Sequence, residues 1–204
     1  MNRVIALLII SDLFLLTGFG LVDPIFAIFM TQNLTNGTLV TAGIAIMLFF
    51  LVKSLLQLPL AHYIDKHGNS EFFLVGGCLI IAAVPFLYSV ATHINHIYLI
   101  QVLYGIGSAL AYPTWLGLFS TNIDKKKENF EWAVYSTCEG VGTALSAFIG
   151  AQLAAIIGFR SVFIIVGILS LIGACILLFL GKQNKKMAYH YKYMVEKAHG
   201  MTAF

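Results

Sequence analysis

The sequence predicts an all-α membrane protein with six transmembrane helices, and three observations carry that fold class. Hydrophobic residues make up 59% of the 204-residue chain and charged residues 10%, against about 25% charged in an ordinary soluble domain. The apolar residues fall in long blocks, several exceeding the ~18 mostly apolar residues that a bilayer-spanning helix requires. Lys and Arg collect in alternate connections between the blocks, the asymmetry that orients membrane helices.

The first block covers 3–30. A signal-peptide core has only ~7 to 15 apolar residues, so this longer block, which carries Asp12 and Asp23, reads as a span rather than a cleaved leader. The remaining spans follow at 41–61, 72–91, 97–120, 132–157 and 159–180. Together they predict a six-helix bundle over 1–183 and a basic tail over 184–204, either laid on anionic lipid or standing as a solvated anchor. The connections are too short to fold into a soluble domain, so function must reside in the bundle.

Arg3, Lys66, Lys125, Lys126, Lys127, Lys182, Lys185, Lys186, Lys192 and Lys197 fall on one side and Arg160 on the other. The positive-inside rule makes the basic side cytoplasmic, with both termini inside and the chain multi-pass in a cell (plasma or inner) membrane. This distribution accounts for the net charge of +3 without a nucleic-acid partner. The sequons at Asn33 and Asn36 lie so close to the bilayer that both read as turn residues. Cys78, Cys138 and Cys175 stand alone in apolar segments, and the histidines gather at segment ends and in the tail, so no disulfide, metal site or cofactor is expected.

Ionisable groups at mid-membrane cost at least ~2.5 to 3.5 kcal/mol each, and those that persist face a protein interior or a water-filled path. Asp12, Asp23, Lys53 and Glu139 qualify, on helices 1, 2 and 5. Asp12 and Asp23 are eleven residues apart, which at about 100° per residue places both on one stripe of helix 1 with Phe19. Lys53 lies mid-helix 2 with Gln57 one turn on, and a pair with Asp23 or Asp12 is expected. Glu139 is followed on its side of helix 5 by Gly142, Thr143, Ser146 and Gly150, small residues that permit close helix approach and leave room for water; there a carboxyl can hold and release a proton during a transport cycle. The alternative is that these charges pair only to fix packing. Helix 4 carries Gln101, Tyr104, Ser108, Tyr112 and Trp115 in a polar-aromatic stripe that can line a cavity, although Trp115 would equally suit an interfacial belt. Pro24, Pro59, Pro85 and Pro113 each remove a backbone hydrogen bond and can bend or unwind a helix beside a cavity.

The chain resembles the amino-terminal six-helix half of a major facilitator superfamily transporter, most like the drug/proton antiporter branch. The loop after helix 2, Ala61-His-Tyr-Ile-Asp65-Lys66-His-Gly68, is similar to the family's G-x-x-x-D-R-x-G-R-R signature; Asp65, Lys66 and Gly68 are kept, while Ala61, Asn69 and Ser70 depart from it. Helix 1 has Gly18-Phe-Gly20-Leu-Val-Asp23-Pro24, helix 4 has Gln101-Val-Leu-Tyr-Gly105-Ile-Gly107-Ser-Ala109 with Gln101 where the proton-coupling pattern has arginine, and helix 5 has Gly142 to Ala151 without the antiporter proline. Gly158-Phe-Arg160-Ser-Val-Phe163 resembles the family's entry to helix 6. The resemblance implies helices 1, 2, 4 and 5 around a central path, helices 3 and 6 toward lipid, and a gating role for the Asp65–Gly68 loop.

What the resemblance implies in function is secondary active transport of a small solute by alternating access, proton- or cation-coupled. Family members normally join two such bundles, so a homodimer or a separate second half is expected as partner beside the bilayer. The substrate and ion pathway is expected at Asp12, Asp23, Lys53, Gln57, Gln101, Tyr104, Tyr112 and Glu139. The alternatives are a non-transporting scaffold or accessory subunit, or a truncated transporter fragment. No enzyme is expected: Cys138 and Glu139 are adjacent and point about 100° apart on a helix, and no phosphate-binding loop is present. The acidic stripe hints at a cationic or amphipathic solute.

Overall fold

The computed structural model describes residues 2–180, and the predicted basic tail lies outside the described residues. Six helices make up the fold: α1 (Arg3–Asn33), α2 (Leu39–His67), α3 (Ser70–Val90), α4 (Ile94–Asn122), α5 (Glu128–Ile157) and α6 (Phe159–Leu177). All six are long and apolar enough to cross a membrane. Most run past the spans read from hydropathy, because a helix ends where its backbone is capped rather than where lipid ends. α2 shows both devices. Thr38 and Thr41 form a reciprocal capping box at its start, and Gly68, at φ 68°, ends it by donating its N–H to the Ile64 carbonyl at 3.0 Å. That left-handed turn suits glycine, which has no Cβ to clash. α6 instead stops at Leu177, three residues short of the expected span, as the chain turns at Leu178. The four prolines lie inside helices that continue through them, so none unwinds its helix.

Short turns between consecutive helices make the bundle run up and down. The α1–α2, α3–α4 and α5–α6 turns define what we call the upper end, and the α2–α3 and α4–α5 turns the lower end. α1 packs against α5 and α6, α4 packs against α2 and α3, and α3 against α6 closes the two groups into one bundle. In lipid no hydrophobic force drives helices together, so close van der Waals approach must do it, and small residues sit at the seams. Gly77 of α3 faces Gly107 and Ala111 of α4; Gly105 of α4 lies on Phe49 and Val52 of α2; Gly150 of α5 lies on the backbone of Leu21 in α1. At the upper end Thr35 donates to the Thr92 carbonyl at 3.0 Å and accepts from Ile94 at 3.3 Å, stitching the first turn to the third. Asn36, at φ 64°, is a turn residue in that stitch.

The core divides by height. The upper cluster includes Phe19, Phe29, Val84, Tyr88 and Phe163, and the lower one Leu8, Leu74, Trp115, Phe119 and Leu177. α2 and α5 bury little of themselves: Leu55 and Leu58 on α2 and Leu145 and Phe148 on α5 are exposed.

Candidate transport site

Between α1, α2, α3 and α4 the upper half holds an open cavity of about 420 Å³ lined by Phe19, Val22, Asp23, Phe26, Ala27, Ile46, Phe49, Phe50, Tyr88, Gln101 and Tyr104. Three of the lining rings stack in a column. Tyr104 is sandwiched between Phe19, at 4.9 Å and 10° between planes, and Phe49, at 4.3 Å and 26°. Gln101 is buried and accepts a hydrogen bond from the Tyr88 hydroxyl at 3.2 Å, which fixes its oxygen. Asp23 is exposed to the cavity and, among the described residues, makes no hydrogen bond or ion pair.

Lys53 meets rings rather than a carboxylate. Its ammonium lies 4.3 Å from the Tyr112 ring centre and 5.9 Å from that of Phe49; the pair with Asp23 or Asp12 expected from sequence is not formed. Asp23 lines the upper cavity one turn beyond Phe19 on α1, whereas Lys53, one turn beyond Phe49 on the oppositely directed α2, is not among the residues that line it. A cation over an aromatic face is stabilised by about 0.5 to 2 kcal/mol, more as water is excluded. Gln57 follows one turn further down α2, partly exposed.

The lower half holds a different arrangement. Tyr135 of α5 donates its hydroxyl to Asp12 Oδ2 at 2.9 Å, and Glu139, one turn on from Tyr135, lies within electrostatic reach of the same carboxyl group. Around them Trp115 packs on Tyr135 (4.6 Å) and Phe119 (4.9 Å), and Phe119 on Trp132 (4.5 Å). Trp115 also donates to the Leu8 carbonyl at 3.5 Å; it is a buried member of this cluster and not an interfacial anchor. Higher on the same seam Gly142 faces Thr17, and Ser146 is buried against Gly20. Among the described residues, the buried hydroxyls of Thr17, Ser146 and Ser170 have no hydrogen-bond partner.

The stripe read on α4 therefore divides. Gln101 and Tyr104 enter the upper cavity, Ser108 is buried, Tyr112 carries Lys53, and Trp115 joins the lower cluster. At the lower end Asp65 is exposed beside a second cavity of about 340 Å³, which Ala61, Ile64, Ser70, Pro113 and Thr114 also line. Lys66 is exposed in the last turn of α2, and Gly68 is its cap.

Sequence reasoning missed Tyr135 and Phe49, although each stands one helical turn before a residue it did single out, Glu139 and Lys53. It also missed Glu131, which is 2% exposed and accepts the Asp124 N–H at 3.1 Å. Tyr88 lies on a helix expected to face lipid. Among the described residues no three His, Cys, Asp or Glu side chains gather as a metal site.

A six-helix membrane bundle with unpaired charges around an internal cavity is the architecture of one half of a polytopic transport protein. The family comparison makes this specific: the Major Facilitator Superfamily model matches residues 8–190, and the chain belongs to that family. It is similar to an uncharacterized MFS-type transporter of Methanocaldococcus jannaschii, 24% identical over 160 residues covering 78% of this chain and 40% of that protein. It is also similar to the tetracenomycin C resistance and export protein of Streptomyces glaucescens, 32% identical over 56% of this chain and 22% of the relative. A proton-coupled antiporter flippase of Staphylococcus haemolyticus is 24% identical over 55% of this chain and 27% of its own length. The chain spans two-fifths or less of each of these relatives.

Proposed function

We propose that this chain is half of a secondary active transporter that moves a small solute across a cell membrane by alternating access, with Asp23 and Lys53 in the solute path. The observation that carries the reading is two ionisable groups inside apolar helices with no ion-pair partner among the described residues: a carboxylate in a cavity between four helices and an ammonium held over aromatic rings. Each charge costs several kcal/mol in lipid, and neither is neutralised by the other. Gln101, Tyr104 and Tyr112 form the rest of the path, and Gln57 continues it downward.

Asp12, held by the Tyr135 hydroxyl, and Glu139, within electrostatic reach of it across the α1–α5 seam, are the groups we assign to carrying a proton or coupling cation. The relative named as a proton-coupled antiporter supports that assignment. Asp65, Lys66 and Gly68 form the gating turn on the cytoplasmic side, the lower end in this orientation, with both termini inside and the plasma or inner membrane as location. A second six-helix unit, a copy of this chain or a separate half, completes the cavity against the little-buried faces of α2 and α5. Uptake of a panel of labelled solutes into proteoliposomes under an imposed pH gradient tests the reading. Loss of flux in folded Asp23→Asn and Lys53→Met variants supports it, and unchanged flux in both overturns the site.

A further inference from the structure

We infer that the α1–α5 seam is a water-binding site, a short buried file held by the hydroxyls of Thr17 and Ser146 directly above Glu139. The inference deepens the assignment of a coupling proton to Asp12 and Glu139, and it rests on that reading for its role but not for its existence. Contacts fix the register of the seam. From the lower end upward, Asp12 meets Tyr135, Thr17 meets Gly142, Gly20 meets Ser146 and Leu21 meets Gly150. On α5 the residues Tyr135, Glu139, Gly142 and Ser146 recur every three or four positions, so they share the face turned to α1. The residues lining the upper cavity include none from α5, which makes the seam a compartment separate from the solute path.

Ser146 is 2% exposed and the Thr17 hydroxyl is buried, and among the described residues neither hydroxyl has a hydrogen-bond partner. Buried polar groups that the chain leaves unpaired are met by ordered water where there is room for it. Room is found at Gly142. A Cβ there would lie 3.3 Å from Thr17 Oγ1 and 3.9 Å from Leu13 Cγ, and among the described residues nothing else across the seam comes within 4 Å. A water oxygen at that spot is in hydrogen-bonding range of the hydroxyl. The seam tightens above it: a Cβ at Gly20 would lie 3.0 Å from Ser146 Cβ, and one at Gly150 would run into the Leu21 backbone. The roomy level therefore sits next to the carboxyl pair and is closed on its upper side. Glu139 is three residues before Gly142, less than one helical turn. A buried water needs two to four polar partners, and Thr17, Ser146 and Glu139 supply them. Ser170, the third unpaired hydroxyl, belongs to the α1–α6 contact at Gly18 and is not part of the file. Thr17 is thus a positioning residue, which holds the water that hydrates Glu139 as its carboxyl group gains and loses a proton.

X-ray radiolysis of the full chain in phosphatidylcholine nanodiscs tests the site without any solute. Bound water yields hydroxyl radicals in place, so a side chain beside it is oxidised where bulk solvent does not reach, and mass spectrometry reads the rate at each residue. Leu13 should be oxidised at least about 10-fold faster than Leu21, which lies above the closure. Gly142→Ala fills the spot and Thr17→Val removes the hydroxyl; each should cut Leu13 oxidation at least about 5-fold, while Thr17→Ser retains it. The lipid-facing exposure of Leu13 is common to all these variants, so the drop isolates the water. Thr17→Val should also unfold at a lower temperature than Thr17→Ser, because it strands the water. Equal oxidation of Leu13 and Leu21, oxidation unchanged in either Gly142→Ala or Thr17→Val, or a Thr17→Val variant that unfolds at a higher temperature than the parent would overturn the site. The two readings separate cleanly. Loss of the water site leaves the coupling role of Asp12 and Glu139 to the flux assay above, whereas an oxidised seam with pH-driven flux unchanged in Glu139→Gln supports the water site and overturns the coupling assignment.

Discussion

Helix α1 carries two aspartates on one stripe, and the protein treats them in opposite ways. Asp12 sits in the lower half in a seam with α5, where a tyrosine hydroxyl holds it at 2.9 Å and four aromatic residues, Trp115, Phe119, Trp132 and Tyr135, close around it. Asp23 sits in the upper half in an open cavity, exposed and without a partner among the described residues. The cost of a charge in lipid is the same for both. At Asp12 it is offset locally by a hydrogen bond to the charged group, worth about 1.5 to 3 kcal/mol. At Asp23 nothing on the protein offsets it, so water or a ligand must. On the proposed reading, the satisfied carboxyl belongs to the helix seam and to the proton assigned to it, and the unsatisfied one to the solute path.

Substitutions can break this contrast at either end. The largest effect is expected from Gly150→Leu, because even a Cβ there would collide with the Leu21 backbone and pry α5 from α1. We expect a loss of about 3 kcal/mol or failure to fold, read as a drop in thermal unfolding temperature in detergent micelles. Tyr135→Phe removes only the hydroxyl and leaves the ring in its cluster. It should cost about 1.5 to 3 kcal/mol by the same assay, and a cost near zero would mean that Asp12 is not held by that bond. Asp23→Asn should leave thermal stability within about 0.5 kcal/mol of the parent, since it breaks no contact; a large loss would move Asp23 to the packing side of the comparison. The smallest effect belongs to Gly43→Ala on α2, where an added Cβ meets nothing within 4 Å. It should be neutral or stabilising by under about 1 kcal/mol, through helix propensity alone.

Much of this was legible in the sequence. The helices follow from hydropathy, since a run of apolar residues in a chain with 10% charge has few other folds, and the ionisable residues at mid-span are conspicuous because they are expensive. Periodicity also placed Asp12 and Asp23 on one face. What sequence could not supply is height across helices. Lys53 looked like a partner for an aspartate because both are ionisable groups inside apolar helices; in the fold Lys53 lies against the Phe49 and Tyr112 rings, while Asp23 lines the upper cavity. The α4 stripe failed for a related reason. Over the fifteen residues from Gln101 to Trp115 one face meets different neighbours as it descends, so a single stripe served two sites. Tyr135 and Tyr88 escaped notice because a tyrosine in an apolar helix reads as core until its hydroxyl is seen to donate, to Asp12 in one case and Gln101 in the other.

Water access at the two aspartates tests the account most directly. With Cys78, Cys138 and Cys175 replaced by alanine, Asp23→Cys and Asp12→Cys variants in lipid nanodiscs can be exposed to a charged, membrane-impermeant thiol reagent and their labelling rates compared. The account predicts labelling at position 23 at least about 10-fold faster than at position 12, because a thiol reacts only where water and reagent reach it. Equal rates, or faster labelling at position 12, would contradict it.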